Sequence, residues 1–162
     1  MKRVLITGMS GTGKSAVIQE LAARGCRALD LDTPEWSHWV DAAPPDGLTP
    51  AEGQDWVWRE DRVRDLLSTP RDGPLFISGC AENMGRLFPL IETVILLSAP
   101  VDTIMARLTA RSADGYGSTA KERRKVGELI AMIEPLLRQA AHHEIDTTGP
   151  VPATVDEILR LA

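Results

Sequence analysis

The segment that most constrains this chain is Gly8-Met9-Ser10-Gly11-Thr12-Gly13-Lys14-Ser15, set between the apolar run Val4-Leu5-Ile6 and a stretch patterned as an amphipathic helix. Its glycines let successive backbone N–H groups turn inward toward one point, and the opening helix adds the positive end of its dipole. The Lys14 ammonium brings a full charge to the same point, and Ser15 brings a hydroxyl that a hard cation accepts. A strand, an anion-cradling turn and a helix in that order form an α/β unit, which excludes all-helical and all-strand architectures. The pattern predicts a bound polyphosphate nucleotide, held by Gly8, Met9, Ser10, Gly11, Thr12, Gly13, Lys14, Ser15 and Ala16, with Ser15 as a magnesium ligand.

Short apolar runs alternate with longer amphipathic stretches along the rest of the chain, as in a parallel sheet flanked by helices. Strands are expected at Arg3 to Thr7, Arg27 to Leu31, Pro74 to Ser78, Thr93 to Leu97 and Glu144 to Thr147. Helices are expected at Lys14 to Arg24, Val101 to Arg111, Ala120 to Ala141 and Thr154 to Leu161, the third bending at Pro135. Two stretches break the alternation. Ala42 to Gln54, with Pro44-Pro45-Asp46-Gly47, reads as a loop or lid edge, and Ser112 to Thr119, with two glycines, reads as a hinged segment.

The chain has 162 residues, 43% of them hydrophobic, enough for one domain without a metal or disulfide staple. Cys26 and Cys80 stand in no metal-ligand spacing and imply a reducing compartment, and no long apolar run predicts a leader or a membrane span, so a cytoplasmic protein is expected. A net charge of −5 argues against general nucleic-acid binding. Its distribution is more informative. Asp30 to Asp65 holds ten acids against three bases, and Arg107 to Lys125 holds six bases against two acids.

Asp30 and Asp32 end the second expected strand, where a doubly wound sheet places residues beside the phosphate turn. Residues i and i+2 share one face of a strand, so both carboxylates can face the cleft. One can complete a magnesium shell through water while the other accepts the proton of a substrate hydroxyl; a solvated turn with Asp32 as a helix cap is the plain alternative. Hydrolytic machines of this kind need an acid at the end of an apolar strand, and the runs ending Ile77-Ser78-Gly79 and Leu97-Ser98-Ala99 have none. Asp146-Thr147-Thr148-Gly149 lacks the guanine-reading segment that would make it a GTPase switch.

The order strand, Gly-x-x-x-x-Gly-Lys-Ser, helix, strand, Asp-x-Asp resembles shikimate kinase and its small P-loop relatives, gluconate kinase and adenylate kinase. The layout covers most of the chain, and the motifs about twenty residues. The resemblance implies that Asp30 lies by magnesium, through water, and that Asp32 holds the acceptor. It also implies substrate contacts from Arg59, in Trp58-Arg59-Glu60-Asp61-Arg62, where Arg62 stands in place of the family's glutamate. Gly79 is the one glycine kept of the turn after the third strand. Arg107 and Arg111, one helical turn apart, are similar to the adenylate kinase pair of which one packs on adenine and the other contacts phosphate. Thr148 and Pro150 lie in a segment resembling the one that borders adenine. Asn83 and Arg86 fall where this fold's substrate turn lies. Trp36, Trp39, Trp56 and Trp58 all fall in the acidic window and fit a pocket wall, while Trp36 and Trp39, three positions apart, equally fit the buried stripe of a short helix. His38 reads as a surface residue, and His142 and His143 as structural.

These readings combine into a single α/β domain over 1–162 with the P-loop containing nucleoside triphosphate hydrolase fold, a five-stranded parallel sheet in the order 2-3-1-4-5 flanked by helices. An acceptor segment at about 33–68 and a lid at about 112–125 are expected as insertions. The expected activity is ATP- and magnesium-dependent phosphoryl transfer to a hydroxyl of a small neutral or cationic acceptor. Lys14, Asp32 and Arg111 are its catalytic residues, and the protein is a monomer or weak homodimer without nucleic-acid or membrane partners. A nucleotide kinase and a regulatory ATP-binding module are the rivals.

Overall fold

In the computed structural model, which describes residues 2–41, 53–110 and 119–162, the wholly apolar runs become the central strands. In chain order the strands are β1 (Arg3–Thr7), β2 (Arg27–Asp30), β3 (Ser37–Asp41), β4 (Gln54–Trp58), β5 (Leu75–Ser78), β6 (Thr93–Ser98) and β7 (His143–Asp146). The helices are α1 (Lys14–Ala23), α2 (Glu60–Ser68), α3 (Val101–Thr109), α4 (Ala120–Ala140) and α5 (Val151–Leu161), with a 3-10 helix at Glu82–Leu90.

Five strands form one sheet in the order β2-β5-β1-β6-β7, every pair parallel. Counted within that sheet, this is the expected order 2-3-1-4-5. Alternation along the strands feeds two apolar layers. Val4, Ile6, Phe76, Ile95 and Leu97 pack with Val17, Ile18 and Leu21 of α1 and Val155 and Ile158 of α5. On the other face Leu5, Leu75, Ile77 and Leu96 pack with Val63 and Leu67 of α2, Ile104 and Leu108 of α3, and Val126 and Ile130 of α4. Helices thus cover both faces, which is why β1, β5 and β6 are apolar without alternation. α4 runs through Pro135.

The acceptor segment departs from expectation. β3 and β4 form a separate antiparallel pair, with Ser37 opposite Trp58, Trp39 opposite Trp56 and Asp41 opposite Gln54. Trp36 and Trp39 are therefore not the stripe of a short helix: Trp36 ends a turn closed by its N–H on Thr33 O (3.0 Å), and Trp39 lies in a strand. Trp39 and Trp56 meet edge to face at 5.1 Å between ring centroids, a geometry that favours the cross-strand pair. Most of the expected loop at Ala42 to Gln54, and the hinged segment at Ser112 to Thr119 except its last residue, lie outside the described residues.

Candidate functional site

Parallel strands deliver their carboxyl ends to one edge of the sheet, and the candidate residues gather there. β1 runs into the turn at Gly8 to Gly13, and α1 leaves it with no acidic residue in its first turn to compete for an anion. Gly11 has φ +84°, and a Cβ on it would stand 2.8 Å from Ile104 Cγ2, so the turn requires glycine both for its conformation and for the approach of α3. The buried Thr12 hydroxyl donates to Met9 O at 2.7 Å, bracing the turn from within. Lys14 folds over it, its Nζ donating to Gly8 O (2.6 Å) and Met9 O (3.1 Å).

Two neighbouring oxygens stand beside this lysine. Ser15 Oγ donates to Asp30 Oδ2 at 3.1 Å, so the hydroxyl and the carboxylate expected to serve one magnesium ion are brought into contact. Both are hard oxygen donors, the set that suits magnesium; among the described residues no group of three or more His, Cys, Asp or Glu side chains forms a protein-only metal cage. The other Asp30 oxygen accepts from the Asp32 backbone N–H at 2.9 Å, which fixes the Asp-x-Asp turn.

Asp32 keeps contact with solvent, but its inner side is crowded, and this loss of water raises its pKa. The Lys14 ammonium opposes the rise, the Asp30 carboxylate adds to it, and the Trp56 side chain, within hydrogen-bonding reach, opposes it. Cys80, just past β5, belongs to the same neighbourhood. Burial raises its pKa, Lys14 and a Thr7 hydrogen bond oppose, and the Asp32 and Asp55 charges add to the rise. The Lys14 and Asp32 charges both act on Cys80, and Trp56 reaches Asp32, so these four residues share one neighbourhood at the mouth of the phosphate turn. Sequence reasoning missed Cys80 as a neighbour of Lys14 and Asp32, and it did not foresee the β4 strand that brings Trp56 to Asp32.

Several expected substrate contacts are engaged with the protein itself. The buried Asn83 donates from Nδ2 to Trp58 O (2.9 Å) and Glu60 Oε1 (3.2 Å), and its Oδ1 accepts from the Trp58 N–H (3.1 Å). It clamps β4 to the 3-10 helix and also lines the recess between that helix and the hairpin. A Cβ on Gly79 would lie 2.9 Å from Trp58 Nε1, so this glycine admits the buried indole. Arg59 Nε donates to Pro34 O (3.3 Å), Arg62 to Glu35 O (2.6 Å), and Arg86 pairs with Glu60 at 3.0 Å. A recess of about 350 Å³ lies between His38, Val40 and Val57 of the hairpin and Glu82, Asn83 and Arg86.

On the opposite flank, Arg107 donates from Nη1 to Gly11 O (3.0 Å) and Thr147 Oγ1 (3.1 Å), and from Nη2 to Thr147 O. Thr148 N–H donates to Asp146 Oδ1 at 2.7 Å, which shapes the turn into Pro150, the residue preceding α5. Arg107, Thr148 and Pro150 thus share one corner beside the phosphate turn. Arg111 and the first half of the expected lid, 112–118, lie outside the described residues. Arg123 and Arg124 begin α4.

A family model described as AAA domain matches residues 4–127. No curated protein gives a match. Among solved structures, shikimate kinase from Acinetobacter baumannii, in complex with shikimate, superposes with a TM-score of 0.65 at 22% identity, covering 99% of this chain and 92% of that one. Shikimate kinase from Aquifex aeolicus gives 0.60 at 15% identity over 98% and 94%. A gluconokinase from Sinorhizobium meliloti gives 0.60 at 17% over 99% and 93%. At these identities the likeness is one of fold, and it agrees with the resemblance to shikimate and gluconate kinases read from the motifs.

Proposed function

The chain belongs to the AAA domain family, whose model spans residues 4–127, and from that premise we propose that it is a small-molecule kinase that moves the γ-phosphoryl group of ATP to an acceptor hydroxyl. The observation that carries this reading is the meeting of Lys14, the Ser15–Asp30 pair and Asp32 at the carboxyl edge of the sheet. The turn's backbone and Lys14 bind the phosphates, and Arg107, with Thr148 and Pro150, borders the base. Ser15 and Asp30 would hold magnesium, which when bound neutralises charge on the outer phosphates. Asp32 orients the acceptor hydroxyl and takes its proton as that oxygen bonds to the γ-phosphorus and the bond to ADP breaks. Arg111 is the proposed partner of Lys14 in stabilising the transferring group.

The acceptor is neutral or cationic in this reading. Asp30 and Asp32 stand together beside the phosphate turn, and Arg59, Arg62 and Arg86 are bonded to protein groups. The test is a screen of ADP release over sugars, cyclitols, nucleosides, nucleotides and aminoglycosides. Acceptor-dependent ADP release is expected from the wild type and none from Lys14→Ala. Full activity in Lys14→Ala, or stoichiometric ATP binding with no acceptor phosphorylated anywhere in the panel, overturns the proposal.

A further inference from the structure

Thr147 follows β7 and is 5% exposed, and its hydroxyl touches three other parts of the fold. It donates to Thr12 O of the phosphate turn at 2.8 Å, with Ser98 O at the end of β6 at 3.3 Å, and it accepts from Arg107 Nη1 of α3 at 3.1 Å. Its carbonyl accepts from Arg107 Nη2, and its N–H donates to Ser98 O at 2.8 Å. The Arg107 guanidinium is planar, and these bonds occupy its edge, so its orientation is set by Thr147 and Gly11.

We infer that Thr147 is a positioning residue for the nucleotide: its buried hydroxyl fixes the Arg107 plane against the phosphate turn, so that the base meets a preformed surface. Ser98 O keeps the Thr147 N–H when the hydroxyl is removed, but Thr12 O loses this donor, which makes the hydroxyl costly to remove. The inference rests on the nucleotide-binding half of the proposed function and not on the transfer step.

The test is calorimetric binding by the full chain, with ATP and inorganic tripolyphosphate as probes. The two share phosphates, and only ATP carries a base. Thr147→Val is expected to weaken ATP about tenfold and tripolyphosphate less than twofold, since the hydroxyl meets the phosphate turn through a carbonyl, whereas phosphates are held by the turn's N–H groups and Lys14. Thr147→Ser, which keeps the hydroxyl, is expected to retain ATP affinity. In an Arg107→Ala background, Thr147→Val should cost nothing further, because its effect passes through that arginine. Equal losses for the two probes, or an undiminished loss in the Arg107→Ala background, overturn the inference. Should Thr147→Val fail to fold, Thr147→Ala carries the same cycle. ATP binding with these outcomes but no phosphorylated acceptor leaves Thr147's role standing and defeats the kinase reading alone; a wild type that binds neither probe overturns both.

Discussion

Asp32 illustrates how one side chain couples stability to chemistry. Crowding on its inner side raises its pKa, against the Lys14 charge. A carboxyl whose pKa is higher in the fold than in the unfolded chain destabilises the fold when ionised, so this contribution to stability falls as pH rises from the ordinary value of about 3.9 through the raised one. Activity has the opposite dependence, because only the ionised form accepts a proton. The acid limb of kcat is therefore expected to have its midpoint above the ordinary aspartate value. Asp32→Asn should lower kcat by about 10²- to 10⁴-fold, leave ATP affinity within a few-fold, and unfold at an equal or higher urea concentration at neutral pH. Equal loss of transfer and ATP affinity would make Asp32 a structural residue of the turn.

Among the elements, the hairpin and the segment after β5 carry what is particular to this protein. Trp58 is 1% exposed beneath Gly79, and Asn83 holds its backbone on both sides. Adding a methyl group at Gly79 sets a Cβ 2.9 Å from Nε1 and 3.1 Å from Cζ2 of a ring that cannot swing away. Gly79→Ala is expected to cost about 1–3 kcal/mol in chemical denaturation, as overpacking does. A smaller cost accompanied by a shifted tryptophan emission would show that the hairpin lifts to accommodate it. The same elements mark the boundary of what the residues reveal unaided. β1, β5 and β6 are buried on both faces, and their unbroken apolar runs identify them and their parallel order. The phosphate turn, Ser15 and Asp30 follow from spacing. β3 and β4 do not, because Trp36 and Trp39 fit helical and extended spacing alike, and pairing Trp39 with Trp56 requires a contact across 17 positions. The 3-10 helix, with Gly85 and Pro89 inside it, offers no helical pattern, and so Asn83's structural role is visible only once its partners are placed.

At the scale of the whole molecule, the net charge of −5 contains two regions of opposed sign rather than a uniform surface. The described parts of the acidic window, 30–41 and 53–65, run from the end of β2 through β3 and β4 into α2 and bring Asp30 and Asp32 beside the phosphate turn. On that flank Arg59, Arg62 and Arg86 are bonded to Pro34 O, Glu35 O and Glu60. Arg107, from the basic stretch, stands on the opposite flank against Gly11 and Thr147. An approaching acceptor and an approaching nucleotide thus meet fields of opposite sign, and field of this kind acts mainly on association and falls with salt. For a cationic acceptor, kcat/KM is expected to decrease by several-fold between 0.01 M and 0.15 M ionic strength, where the screening length shrinks from about 30 Å to about 8 Å. For a neutral acceptor it should change little. An acceptor that is purely anionic, and whose kcat/KM rises as salt is removed, would show that the bonded arginines release their protein partners on binding, and would overturn the assignment of acceptor charge while leaving the phosphate turn and its lysine in place.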